Sequence, residues 1–203
     1  MEKITDKISK TFEDSIDVKK AILREGAYKV LIEAGDYIAD SISNGGKLLV
    51  CGNGGSAADA QHLVAEFLIR LTSDVNREGI PAISLAQDTS TLTACLNDYG
   101  SDVIFKRILS SLGYKGDVLL AITTSGNSSN IIEVLKLAQL KGIFSIGFLG
   151  GDGGAALQYC NKAFIVPSSI TARVQESHIT AGHAMLQYIE DKLLDSGWLN
   201  QES

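Results

Sequence analysis

Between Leu49 and Arg70 the chain reads LVCGNGGSAADAQHLVAEFLIR, three apolar residues running into a glycine-rich turn and then a helix. Gly52, Gly54 and Gly55 permit a tight turn and close backbone approach to a ligand, and Ser56 is placed to cap a helix whose free N–H groups attract an anion. His62 and Glu66 stand four residues apart, so an imidazole and a carboxylate project from one helical face toward whatever the loop holds. A binding loop and reactive side chains thus share one element.

A second loop, Thr123-Thr124-Ser125-Gly126-Asn127-Ser128, sets four hydroxyls and a glycine between an apolar run and a helix start. Hydroxyl and N–H donors surround a phosphate well, whereas ordinary helix capping explains one or two such residues better than four. Neither loop carries the lysine of a nucleoside-triphosphate loop, and G-N-G-G-S departs from the dinucleotide fingerprint, so a monophosphate ester is the expected ligand. The histidines are His62, His178 and His183. A helical histidine is most often structural, and on these residues alone a hydrogen-bonded surface pair is the leading reading of His62 with Glu66. Around the last helix His183 lies roughly 80° from Gln175 and His178 about 60° to its other side, so periodicity does not choose between them.

The elements that must position these groups follow from hydrophobic spacing. Apolar residues from Glu2 to Ser43 recur at three- and four-residue steps, predicting two helices broken near Glu25-Gly26; the narrow stripe Ile4, Ile8, Phe12, Ile16 on the first suits contact with another subunit. Strands are predicted over Lys47–Cys51, Ala82–Leu85, Val118–Ile122, Ile143–Phe148 and Ala163–Val166. Helices are predicted from the first loop to Leu71 and over Ser90–Leu96, Ser101–Leu112, Asn130–Leu140 and Ala172–Leu194, with Asn97-Asp98-Tyr99-Gly100 as a polar loop and a short helix after Gly154. This alternation implies an α/β fold with a doubly wound parallel sheet and ligands outside the carboxyl ends of its strands.

At 203 residues, 45% hydrophobic and 21% charged, the chain has ordinary globular composition for one core. A formal charge of −6 argues against a dedicated nucleic-acid partner and for a metabolite. Cys51, Cys95 and Cys160 are odd in number and widely spaced, suggesting neither a disulfide framework nor a thiolate zinc site. With no export segment and no apolar run long enough for a membrane, a soluble cytoplasmic protein is expected.

The strings CGNGGSAADAQHLVAEF, LNDYG, GDVLLAITTSGNSSNI and TARVQESHITAGH, in this order and spacing, closely resemble the bacterial phosphoheptose isomerases of the sugar isomerase (SIS) domain family, over about Glu2 to Leu194. The resemblance implies a three-layer, Rossmann-like fold with a five-stranded parallel sheet, N-terminal helices over residues 1–45 that pack on the core and in the oligomer, and a SIS domain over 46–203. It also implies a homotetramer with active sites at subunit interfaces. Substrate contacts are expected from Asn53, Gly54, Gly55 and neighbouring Ser56, from Asn97 and Asp98, and from Thr123, Thr124, Ser125 and Ser128, the hydroxyl loop holding the phosphate. Glu66 and His183 match the family's acid-base pair, and Gln175 its substrate-holding glutamine, so the resemblance selects His183 over His178. One Zn2+ per subunit is implied, with His62, Glu66, Gln175 and His183 as ligands. Two imidazoles and a carboxylate suit zinc, while an amide oxygen is a weak donor.

Thr123 replaces a serine seen in many members, Leu96 stands where glycine often precedes the Asn-Asp pair, and Ala172 occupies a position that is aspartate in some. None of these removes a proton-transfer group. The resemblance therefore implies aldose-ketose isomerisation of sedoheptulose 7-phosphate to D-glycero-D-manno-heptose 7-phosphate. The competing expectations are a non-catalytic SIS-domain protein that binds a replication-initiator partner, a sugar-phosphate sensor, and an isomerase of another ketose phosphate. An acid-base pair favours catalysis over the partner-binding reading, and a sensor usually carries a DNA-binding module, for which this chain has no residues spare beyond the N-terminal helices.

Overall fold

The computed structural model describes residues 4–200. Two N-terminal helices, α1 (Ile4–Glu25) and α2 (Lys29–Ser43), precede the alternating part of the chain. They break where the spacing predicts, at Gly26, whose φ of +71° ends the first. The predicted start at Glu2 lies outside the described residues. There follow β1 (Leu48–Gly52), α3 (Gly55–Leu68), β2 (Ala82–Ser84), α4 (Thr89–Tyr99), α5 (Ile104–Leu112), β3 (Val118–Thr123), α6 (Ser129–Lys141), β4 (Phe144–Gly150), β5 (Lys162–Val166) and α7 (Thr171–Asp195). Short 3-10 turns lead into α5 and β5.

The five strands lie in the order β2-β1-β3-β4-β5, and every pair is parallel. Successive side chains alternate between faces. Leu48, Val50 and Leu120 pack with Ile38, Phe67 and Ile189 of α2, α3 and α7, while Leu49, Cys51 and Leu119 pack with Leu109, Ile131 and Leu135 of α5 and α6. Both faces are therefore covered, and β3, at the centre, is buried along its whole length. The chain reverses its direction of travel across the sheet between β1 and β3, so the loops after these strands flank the switch point where ligands of such sheets bind. Those are the glycine loop and the hydroxyl loop.

Three local expectations are corrected. Asn97, Asp98 and Tyr99 are not a loop: α4 continues through them to Gly100, whose φ of +83° ends the helix, because Asp88 caps its start from Ser90 N and polar residues are tolerated on its exposed last turn. Ser56 is not the cap of α3. Gly54 takes that position with φ +54°, so the cap lies two residues earlier than expected, and Ser56 is buried in the first turn. The helix predicted from Ser101 begins as a 3-10 turn and becomes α-helical only at Ile104. On α1, Ile4, Ile8, Phe12 and Ile16 face outward, the least exposed of them at 50%. No helix among the described residues is long and apolar enough to cross a membrane.

Candidate active site

The face of α3 that leaves the glycine loop presents Asp59, His62 and Glu66 at three- and four-residue steps, and α7 packs along that face. A Cβ at Gly55 would lie 2.3 Å from Nε2 of Gln175, so the absent side chain at this position lets the first turn of α7 close onto the start of α3. Two turns further along α7, His183 meets His62, with their Nε2 atoms 2.9 Å apart and the rings edge-to-face. The Oε1 atom of Glu66 lies 3.6 Å from the same nitrogen of His62. That separation is an ion-pair distance and too long for a hydrogen bond, which corrects the reading of His62 and Glu66 as a hydrogen-bonded surface pair. His62, Glu66 and His183 open together into a cleft of about 510 Å³ whose other walls are Leu71, Thr72, Ala184 and Gln187.

The two histidines that periodicity left equivalent are separated by packing. His178 is 1% exposed, its Nε2 contacts the carbonyl of Leu149 at 3.1 Å, and its ring lies among Phe148 and Phe164. Burial holds its pKa down at about 4, against which the Leu149 contact works only in part. It is a neutral core residue, whereas His183 faces the cleft.

Asp59 is a member of this cluster that the sequence reading missed. Its carboxyl is buried, one oxygen has no hydrogen-bond partner, and the group takes a hydrogen bond from the Gln175 amide close to His62 and His183. Burial raises its pKa above the usual carboxylate range, an effect opposed first by Gln175 and then by the two imidazoles. The available signal was its spacing: three residues before His62 and seven before Glu66, it shares their helical face.

The hydroxyl loop is built as a rigid cup. Thr123 and Ser128 bring their hydroxyls to 3.2 Å, and Ser128 occupies the N-cap position of α6 without using its side chain as the cap. Asn127 N donates to Ser125 Oγ, and Ala155 and Ala156 donate from below to Asn127 Oδ1 and the Gly126 carbonyl. Thr123 is buried, Thr124 and Ser128 are half-buried and Ser125 is exposed, beside the N-terminus of α6, the end of a helix that favours an anion. Asn53 and Asn130 exchange amide hydrogen bonds of 2.8 and 2.9 Å, tying the glycine loop to the start of α6. Asn97 and Asp98 stand apart from these groups. They hydrogen-bond to each other on α4, and Asp98 lines a separate cavity of about 720 Å³ between α4 and α5.

Residues 11–150 match the family model described as the SIS domain. The phosphoheptose isomerase of Chlorobaculum tepidum is 45% identical over 177 residues, 87% of this chain and 84% of that protein. Phosphoheptose isomerase 2 of Campylobacter jejuni is 44% identical over 199 residues, 98% of each chain. This chain belongs to the phosphoheptose isomerase family of SIS-domain proteins. The solved phosphoheptose isomerase of Neisseria gonorrhoeae superposes with a TM-score of 0.86 at 38% identity, covering 93% of this chain and all of the other. The five-stranded parallel sheet expected from the family is thus the fold of this member.

No group of three or more His, Cys, Asp or Glu side chains among the described residues is arranged to hold a metal ion. The two imidazole nitrogens share a hydrogen bond of 2.9 Å, the Glu66 carboxylate stands beside them, and one buried Asp59 oxygen has no donor. Were a borderline-soft divalent ion to bind there, His62, His183, Glu66 and the amide oxygen of Gln175 are the groups that could supply its donors.

Proposed function

We propose that this chain is a phosphoheptose isomerase that converts sedoheptulose 7-phosphate to D-glycero-D-manno-heptose 7-phosphate, the step that opens nucleotide-activated heptose biosynthesis. One observation carries the catalytic assignment: Glu66 and His183, from different helices, open into one cleft. A protein that only binds a partner has no use for a carboxylate and an imidazole so disposed.

The reaction moves one hydrogen from C1 to C2 of the sugar and another from O1 to O2, leaving its composition unchanged. A proton beside a ketone is weakly acidic, so the base must lie within about 3 Å of it and the enediolate must be stabilised as it forms. Glu66 removes the C1 proton. His183 serves the oxygens or C2, giving and taking protons as the carbonyl migrates. Thr123, Thr124, Ser125 and Ser128 hold the phosphate, and Asn53, Gly54, Gly55 and Ser56 close the near side, so binding energy at the far end aligns C1 with the carboxylate. Gln175 holds substrate oxygens, and Asn97 and Asp98, which stand apart from the cleft within one subunit, contribute from α4 only through the assembly proposed below. A Zn2+ ion, one per subunit on His62, Glu66, Gln175 and His183, would polarise carbonyl and hydroxyl oxygens when bound.

The assembly proposed is a homotetramer with active sites at subunit interfaces. The outward apolar row Ile4, Ile8, Phe12 and Ile16 on α1, and the openness of the cleft in a single subunit, support it. The deciding experiment is an isomerisation assay on a panel of ketose phosphates with and without chelator. Turnover of the seven-carbon ketose phosphate is expected; its absence across the panel would remove the enzymatic reading, and preference for a shorter sugar would change the substrate.

A further inference from the structure

Helix α3 ends at Leu68 without a glycine cap, so its last carbonyls need donors from elsewhere. Arg77 supplies donors to two of them, beside Ile80 N, which also donates to the Phe67 carbonyl. Its Nη2 donates to the carbonyl of Glu66 and its Nη1 to that of Phe67, both at 3.0 Å, with a further bond from Nη1 to the Glu78 carbonyl. A cation at this end of a helix also complements the dipole. The Nε of the same guanidinium donates to the carboxylate of Glu190 on α7. Arg77 is 6% exposed and Glu190 3%, so this is a buried ion pair. Glu190 lies seven residues after His183, two turns along the same face of α7.

One planar group therefore grips the backbone of Glu66 and the helix that carries His183. A buried ion pair costs desolvation that apolar side chains of similar volume avoid, so the pair by itself is weak evidence of a role in stability. We propose that Arg77 and Glu190 are positioning residues, whose ion pair fixes the C-terminal turn of α3 against α7 and so sets the placement of the Glu66 carboxylate relative to the His183 imidazole. This rests on the isomerase reading above. Neither residue touches substrate; both act through the helix backbones.

The test is steady-state kinetics on the seven-carbon ketose phosphate with the full-length double variant Arg77→Met, Glu190→Met, alongside its melting temperature. The variant leaves no buried charge unpaired but removes the Arg77 donors to the Glu66, Phe67 and Glu78 carbonyls, so a lower melting temperature is expected with the fold retained, while kcat falls about tenfold or more and KM stays within about threefold, since the phosphate loop is untouched. A folded double variant with wild-type kcat would overturn the proposal, as would one whose KM alone changes. Should that variant fail to fold, Arg77→Lys decides. A single ammonium keeps the charge facing Glu190 but cannot span both carbonyls and the carboxylate, so the same selective loss of kcat is expected, and wild-type kcat overturns the proposal. An inactive parent protein would count against the proposed function, whereas an active parent with unaffected variants counts against the clamp alone.

Discussion

The Nε2 atoms of His62 and His183 lie 2.9 Å apart although 121 residues separate them in the chain. Two imidazole nitrogens at that distance share either one proton or one cation, since two bare lone pairs repel. Purified protein is expected to contain close to one zinc per chain by elemental analysis. His183→Gln and His62→Gln are each expected to lower that content well below half. Full zinc retention in either variant would remove that histidine from the ligand set.

Glu66→Gln keeps the size of the side chain and removes its ability to take a proton. Turnover is expected to fall by at least about a thousandfold, consistent with loss of a general base, while substrate still binds through the hydroxyl and glycine loops. Calorimetric titration beside the isomerisation assay separates the two effects. Undiminished turnover would exclude Glu66 as the base.

Buried His178 makes stability depend on pH. Its pKa is about 4 in the folded chain against an ordinary 6.5, so between those values the unfolded chain binds more protons and stability rises with pH. The contribution is fully present above about pH 6.5 and is lost as the pH falls toward 4. From pH 7 to pH 5 the wild type is expected to lose about 2 kcal/mol more than His178→Gln in urea denaturation. Equal losses in the two proteins would show that His178 does not govern this window.

Gly126 has φ +66°, and a Cβ there would lie 2.1 Å from the backbone oxygen of Gly153. Gly126→Ala must therefore push the hydroxyl loop off its support as well as bear a left-handed conformation costing about 1–2 kcal/mol. A lower melting temperature is expected, together with a KM for the sugar phosphate that rises by more than kcat falls. A variant with unchanged KM would argue that the loop does not hold the phosphate.

The alternation of buried strands and amphipathic helices, the break at Gly26 and the two loops after β1 and β3 were all legible in the sequence, because burial on one face imposes a period that local residues carry. The boundary at Asn97 was not, because polar residues in a last helical turn look like a loop until the cap at Gly100 is seen. Asp59 shared the spacing of His62 and Glu66, but only the approach of Gln175 across Gly55 gave its burial a meaning.

By itself the sequence determined the kinds of chemistry on offer: a glycine turn, a cup of hydroxyls, and a carboxylate and imidazole at helical spacing, with motifs that resemble one family. The family resemblance selected His183 over His178, but the physical reason for that choice came only from tertiary structure. His178 and His183 have similar local patterns on one helix, and the difference between a neutral ring packed on Phe148 and Phe164 and a ring facing His62 arises from how α7 lies across the sheet and α3. The grip of Arg77 on the end of α3 is likewise invisible locally, since its partners on α3 and α7 are brought together only by long-range packing.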